Sequence, residues 1–200
     1  MEILADRIAG AFIRNGVAAE DDRDIYVYGL IQTFSNGIGL IVAIAVGFAF
    51  AIPLEMLIFF IMLTALRMSA GGYHAGTFLR CAVVSSLAIV AAAAIISVST
   101  ATIYAPAIAI ILPVSLIITF IFAPIEDKNR TLTSEETIKF RKRSRRLAVG
   151  GALILGSATA LGGDFAYYSF CATLGLGVAT ISIFAAFLKQ KYGGEANEEE

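Results

Sequence analysis

The stretch Tyr28 to Phe50, YGLIQTFSNGIGLIVAIAVGFAF, decides the fold. It carries no charged residue, and its polar interruptions are Gln32, Ser35 and Asn36. A helix that crosses a bilayer needs about 20 predominantly apolar residues, and this run supplies them. The rest of the chain repeats the pattern. Of its 200 residues, 58% are hydrophobic and 16% charged, against about 45–50% and roughly 25% in an average soluble domain. Mean hydropathy is +0.81. Fifteen Lys plus Arg stand against 16 Asp plus Glu. That balance excludes a soluble globular enzyme, a disordered regulator and a basic nucleic-acid binder. The fold class is all-α: a polytopic helical bundle in a membrane.

Working outward, the apolar runs predict six spans. After Tyr28–Phe50, Pro53 marks a turn. Leu54 to Leu66 is short for a crossing and must continue past Arg67 or sit in a thinner region. Ala82–Tyr104 and Ala107–Ile125 follow, with a turn expected near Pro106. Leu147–Gly163 and Phe165–Leu188 are joined through Gly162, Gly163 and Asp164. The chain reads as one membrane domain: an interfacial segment over 1–27, the bundle over 28–188 and a cytoplasmic tail over 189–200. Ile3, Leu4, Ile8, Ala11 and Phe12 recur at helical spacing, which suggests an amphipathic helix on the membrane surface. An ordinary helix packed on protein would show the same spacing. With Glu2 and Asp6 where a basic region would stand, this start is not expected to be a cleavable signal.

Six spans put all 15 basic residues on one side, because none falls in the turns near Pro53, Pro106 or Asp164. The positive-inside rule makes that side cytoplasmic, with both termini there. A different helix number would scatter the charges.

Reactive side chains concentrate between the second and third spans, in Arg67-Met68-Ser69-Ala70-Gly71-Gly72-Tyr73-His74-Ala75-Gly76-Thr77-Phe78-Leu79-Arg80-Cys81. His74 is the only histidine in the chain. Ionisable groups at a membrane edge are costly and point to function. An imidazole can take the proton of a thiol, and the thiolate then attacks a carbonyl to give a thioester. On one continuous helix, residues seven apart lie about 10 Å apart along the axis, whereas the proton transfer needs roughly 3 Å. The helix is therefore expected to break between His74 and Cys81, unless another subunit supplies one of them. Gly71, Gly72 and Gly76 allow the break, and Thr77 is a candidate N-cap for a helix carrying Cys81. A helix N-terminus with Arg80 alongside would stabilise the thiolate.

The set Arg67…Gly71-Gly72-Tyr73-His74-Ala75…Arg80-Cys81…Ser85 resembles the signature of the accessory gene regulator B (AgrB) family. Ala123-Pro124-Ile125-Glu126-Asp127-Lys128-Asn129-Arg130-Thr131-Leu132 resembles a second, less specific block of it. The resemblance implies a membrane cysteine endopeptidase that removes the C-terminal tail of a quorum-sensing precursor peptide of the AgrD type. It implies Cys81 as nucleophile and His74 as base, with a peptide cysteine resolving the acyl-enzyme to a thiolactone, or a serine to a lactone. It implies no cofactor, and family precedent suggests a homodimer. The other reading is a small peptide transporter or export channel without proteolytic activity.

Further candidates are weaker. Lys139, Arg141, Lys142, Arg143, Arg145 and Arg146 crowd the start of the fifth span. They read as a topology signal resting on anionic lipid, or as a dock for an acidic part of the peptide. Ser69, Ser85 and Ser86 could orient the imidazole or donate to an oxyanion, or simply bond their own helix. Gln32 and Asn36, one turn apart, could pack against another helix or line the site. Glu126 and Asp127 are candidate third members of the site or plain loop residues. Cys171 reads as a small apolar filler. One histidine and two distant cysteines make no metal site.

Overall fold

The computed structural model describes residues 2–72, 78–125 and 133–195. Among these there are seven α-helices and no strand: α1 (Glu2–Arg14), α2 (Arg23–Ala49), α3 (Pro53–Ala70), α4 (Phe78–Val98), α5 (Ala101–Phe122), α6 (Ser134–Ala160) and α7 (Gly163–Glu195). The all-α membrane bundle expected from the composition is what forms. Five of the helices, α2 to α5 and α7, are long and apolar enough to cross a membrane. Of α6, only the part from Leu147 to Ala160 is free of charge, short of a full span by itself. It nevertheless packs along α3, α5 and α7 as a sixth rod of the bundle.

Contacts fix the directions. Gly47 lies against Pro53 and Met56, and Gly39 against Phe60, so α2 and α3 form a hairpin. Tyr104 stacks on Phe170, Gly177 meets Ile111, and Phe122 packs on Phe187, so α5 and α7 run the same way. Gly175 sits on the Phe59 carbonyl while the Ile125 N–H donates to the Ala70 carbonyl. Helices α3, α5 and α7 are therefore parallel. Arg145 donates to the Phe120 carbonyl at 3.0 Å and Gly151 lies against Met62 and Leu176, which turns α6 the opposite way. The long helices alternate. The starts of α2, α4 and α6 and the ends of α3, α5 and α7 gather at one end of the bundle, and every basic residue among those described is found toward that end.

α1 lies on the start of α2. Ala5 and Ala9 are fully buried, Phe12 meets Tyr26 edge to face, and Arg23 holds Asp6 at 3.0 Å. Ile3, at 74% exposed, and Leu4, at 50%, face outward from this contact. The two readings of the segment thus divide the helix between them: one face packs on protein and an apolar edge remains.

One boundary follows the sequence reading and another differs from it. α3 does continue past Arg67, to Ala70, which gives it 18 residues. The turn expected at Pro106 falls instead at Ser99-Thr100, and both Pro106 and Pro113 lie inside α5. Hydroxyls explain the shift. Ser99 Oγ donates to the Ile95 carbonyl at 2.7 Å and Tyr104 Oη to the Ser99 carbonyl, occupying acceptors where α4 ends. Thr100 is extended and its carbonyl accepts from Ile103 as α5 starts. The result is two helices of nearly equal, bilayer-matched length. Proline inside a membrane helix is tolerated because neighbouring groups and local adjustment satisfy the freed carbonyl.

The core lies between α3, α5 and α7, around Phe59, Leu66, Ile108, Phe170 and Ile183. Cys171 is completely buried there, as a small apolar filler would be. Gly175 is the closest approach: a Cβ on it would collide with the Phe59 carbonyl oxygen. Small residues that let backbones touch are how helices gain packing energy in lipid, where there is no water to drive them together.

Candidate functional site

Cys81 is the fourth residue of α4, in its first turn. It is half-buried and not in a disulfide. Its position follows from the glycines before it. α3 ends at Ala70, and Gly71 takes φ 74°, ψ −163°, a combination essentially restricted to glycine. That turn lets the Ile125 N–H bond the Ala70 carbonyl at 3.0 Å, and a Cβ at Gly71 would collide with the Ile125 carbonyl oxygen. The end of α3 is thereby tied to the end of α5. Gly72 comes next, so close to Ser182 that an added Cβ would lie 2.7 Å from its Oγ and 3.4 Å from Arg67 Nε.

Cys81 opens into a cleft of about 220 Å³ between α2, α3, α4 and α7. Its polar lining includes Gln32, Asn36, Thr64, Arg67, Ser85 and Ser182. Gln32 Nε2 donates to Asn36 Oδ1 at 3.3 Å, which presents the Asn36 amide N–H groups rather than its oxygen. A smaller recess of about 50 Å³ between α2 and α4 also reaches Cys81, together with Ser35, Ser85 and Ser86. Amide N–H groups in the first turn of α4 give this end of the helix a partial positive charge beside Cys81.

The expected site residues separate into four groups. Arg67, Cys81 and Ser85 line one cleft, with Gly71 and Gly72 shaping its edge. Arg80, expected beside the thiolate, is exposed and outside the cleft lining; the cation of the lining is Arg67. Lys139, Arg141, Lys142 and Arg143 are exposed on the first turns of α6. That helix packs on α3, α5 and α7, and contributes nothing to the cleft lining. His74, Thr77, Glu126 and Asp127 lie outside the described residues. Ser69 bonds its own helix, donating to the Ala65 carbonyl. Among the described residues no group of His, Cys, Asp and Glu could hold a metal ion.

The cleft also includes residues that the sequence did not single out. Gln32 and Asn36 left packing and site open, and they line the cleft. Thr64 and Ser182 carried no signal, because Ser and Thr are scattered through α7 at positions 169, 173, 180 and 182.

No match was found among curated proteins or among solved structures. The model of one family, accessory gene regulator B, matches residues 5–185. That match takes in most of α1, the bundle as far as residue 185 of α7 and every residue lining the cleft. A family concerned with processing the agr quorum-sensing peptide implies an AgrD-type peptide as substrate, and a membrane-embedded cleft with a thiol at its mouth suits such work. This chain belongs to the accessory gene regulator B family.

Proposed function

We propose that the protein is a cysteine endopeptidase that cleaves the C-terminal tail from an AgrD-type precursor and assists ring closure. The observation that carries this reading is Cys81 at the N-terminus of α4, open to a cleft that also contains Arg67, Asn36 and Ser85. His74 is two peptide units from Gly72, which abuts Ser182 on the cleft wall.

In this mechanism His74 takes the Cys81 proton, and Sγ attacks the carbonyl carbon of the scissile bond. The carbonyl oxygen becomes an oxyanion, for which the Asn36 amide and Ser85 hydroxyl are candidate donors. The C–N bond then breaks, the departing nitrogen takes the proton from the imidazolium, and the acyl group remains as a thioester on Cys81. A cysteine thiol of the same peptide gives its proton to His74 and attacks that thioester. Cys81 leaves as thiolate and a thiolactone ring is closed; a serine in its place gives a lactone. One thioester replaces another, so the exchange is nearly balanced in energy. Holding the peptide thiol close and keeping water out decide whether the ring or the hydrolysed acid forms.

The reactive end belongs at the inner face of a bacterial cell membrane, with both termini there. The gathering of basic residues toward that end supports this orientation through the positive-inside rule.

The test is cleavage of a precursor peptide in membranes containing Cys81→Ala or His74→Ala protein. Loss of cleavage at normal protein level is expected, together with a hydroxylamine-sensitive peptide adduct on the wild-type enzyme only. Cleavage retained by Cys81→Ala overturns the assignment.

A further inference from the structure

The cleft changes chemistry with depth in the same sense on three of its four walls. On α4, Ser85 and Ala88 lie one and two turns beyond Cys81. On α3, Thr64 and Phe60 lie one and two turns inward from Arg67, and on α2, Asn36 and Gly39 from Gln32. On α7, Ser182 lies between Ala185 toward the mouth and Val178 toward the floor. The mouth is polar and charged, the middle layer holds hydroxyls and an amide, and the floor is apolar. That floor is firm. Ile89 is 1% exposed and Phe60 8%. An edge of the Phe60 ring meets α2 where Gly39 makes room, 3.0 Å from where a Cβ would be.

Size limits what enters. About 220 Å³ is below the roughly 300–1,000 Å³ of sites that enclose a drug-sized ligand. It exceeds the roughly 150 Å³ in which an apolar cavity holds a benzene-sized group. One large side chain and its backbone fit. Depth says which. The residue whose carbonyl is attacked becomes bonded to Cys81 at the mouth, so its side chain is the one held above the floor. Ser85 and Ala88 lie about 6 and 10 Å along the axis from Cys81 at 1.5 Å per residue; the Cys81 side chain and the thioester take up the first part of that span, and an aromatic or branched aliphatic side chain reaches further toward Ala88 than alanine does.

We propose that the floor formed by Gly39, Phe60, Ala88, Ile89 and Val178 is a specificity pocket for a bulky apolar side chain on the residue that acylates Cys81. This rests on Cys81 being the nucleophile. The way in is the seam between α4 and α7, which scarcely touch; Ile181, at 70% exposed, and Val84 line it from the lipid side. A side chain arriving through lipid gains little from leaving water, so selection is by shape and packing, as it is between membrane helices.

The experiment compares precursor peptides carrying Phe, Leu, Ala or Asp immediately before the cleaved bond, against wild type and the graded series Ala88→Val, Ala88→Leu and Ala88→Phe. The readout is the ratio of kcat/KM between peptides within one variant, so protein yield cancels. Wild type is expected to favour Phe or Leu over Ala by about tenfold or more, the discrimination available from one or two buried methylenes, and to reject Asp. Each enlargement at Ala88 lowers the Phe/Ala ratio, and Ala88→Phe inverts it. If the largest variant does not accumulate, the trend through Val and Leu decides. A ratio that stays constant across the series, or selectivity that sits on the residue after the bond, overturns the proposal. Cys81→Ala run alongside separates the two readings: if it still cleaves, the nucleophile is wrong; if it is inactive while the ratios stay flat, only the pocket is.

Discussion

The two halves of this bundle are built on opposite packing logic. In the half made by α3, α5 and α7, Gly175 brings backbone against backbone, and Phe59, Phe170, Cys171 and Ile183 are almost wholly buried. In the half containing α2 and α4, only 6% of the α2 span is buried, and a cleft separates α4 from α7. Density holds the first half together. The second half holds Cys81 at the mouth of that cleft, the opening that the proposed reaction needs. Stability and chemistry have been assigned to different helices, with α3 shared between them.

The sharpest test of that division is a crossed pair of substitutions. Cys81→Ala should lower precursor cleavage by about 10³-fold or more, as loss of a covalent nucleophile does, while thermal unfolding in detergent is unchanged. Gly175→Val should do the reverse. It forces a branched side chain into the Phe59 carbonyl and costs about 3 kcal/mol or more, the upper end for overpacking. That cost appears as loss of folded protein before any change in the activity of what remains. If Gly175→Val is folded and inactive, the two halves are not independent.

Gly71 is the joint between them, so its replacement should touch both. Gly71→Ala strains a backbone conformation worth about 1–3 kcal/mol to any other residue and presses on Ile125. Stability should fall by that amount. Cleavage should fall further than stability predicts, because the end of α3 carries Arg67 into the cleft and the link to His74 starts there. Measuring melting temperature and kcat/KM on the same preparation checks it: parallel losses would make Gly71 a structural glycine only.

How much of this was legible beforehand varied with the kind of signal. Helices with whole-span apolar runs, such as Tyr28–Phe50, announced themselves, because lipid demands internal backbone bonding along the entire crossing. Boundaries set by single side chains did not. Pro106 looked like the end of a helix, whereas Ser99, Thr100 and Tyr104 supplied the stop. Within the site, Cys81, Arg67 and Gly71 stood out for being reactive or charged beside the membrane. Thr64 and Ser182 did not, because a hydroxyl in a membrane helix commonly bonds the carbonyl four residues back, as Thr180 does to Leu176 here. Arg80 is exposed and outside the cleft lining, because adjacent residues on a helix point about 100° apart, so the sequence neighbour of Cys81 does not share its cleft. Arg67, on another helix, faces it.

The basic turns of α6 belong to the dense half by packing yet extend past the end of α5, where Arg145 caps the Phe120 carbonyl. If they dock an acidic stretch of peptide, neutralising Lys139, Arg141, Lys142 and Arg143 together should raise KM severalfold and leave kcat alone. Each charge near an anionic surface is worth about 1 kcal/mol. If they only anchor the helix on lipid, insertion falls and KM does not move. Protease protection of α6 beside peptide kinetics separates these outcomes.

The smallest effect is expected where α1 meets α2. Arg23 and Asp6 are joined at 3.0 Å, with their side chains 43% and 52% exposed. Exposed pairs of this kind contribute about 0.2–1 kcal/mol, and salt screens them further. Asp6→Asn should therefore move the melting temperature very little, and the change should vanish at high salt. The contact that matters more is the pair of alanines: Ala5 and Ala9 are both 0% exposed against α2, leaving no room for a larger side chain. Ala9→Leu should lift α1 off the open half of the bundle, detectable as new protease sensitivity near Gly16. If Asp6→Asn frees α1 as readily as Ala9→Leu, then charge rather than close packing fastens the helix, and the open half is held at its edge by a different force from the one that closes the dense half.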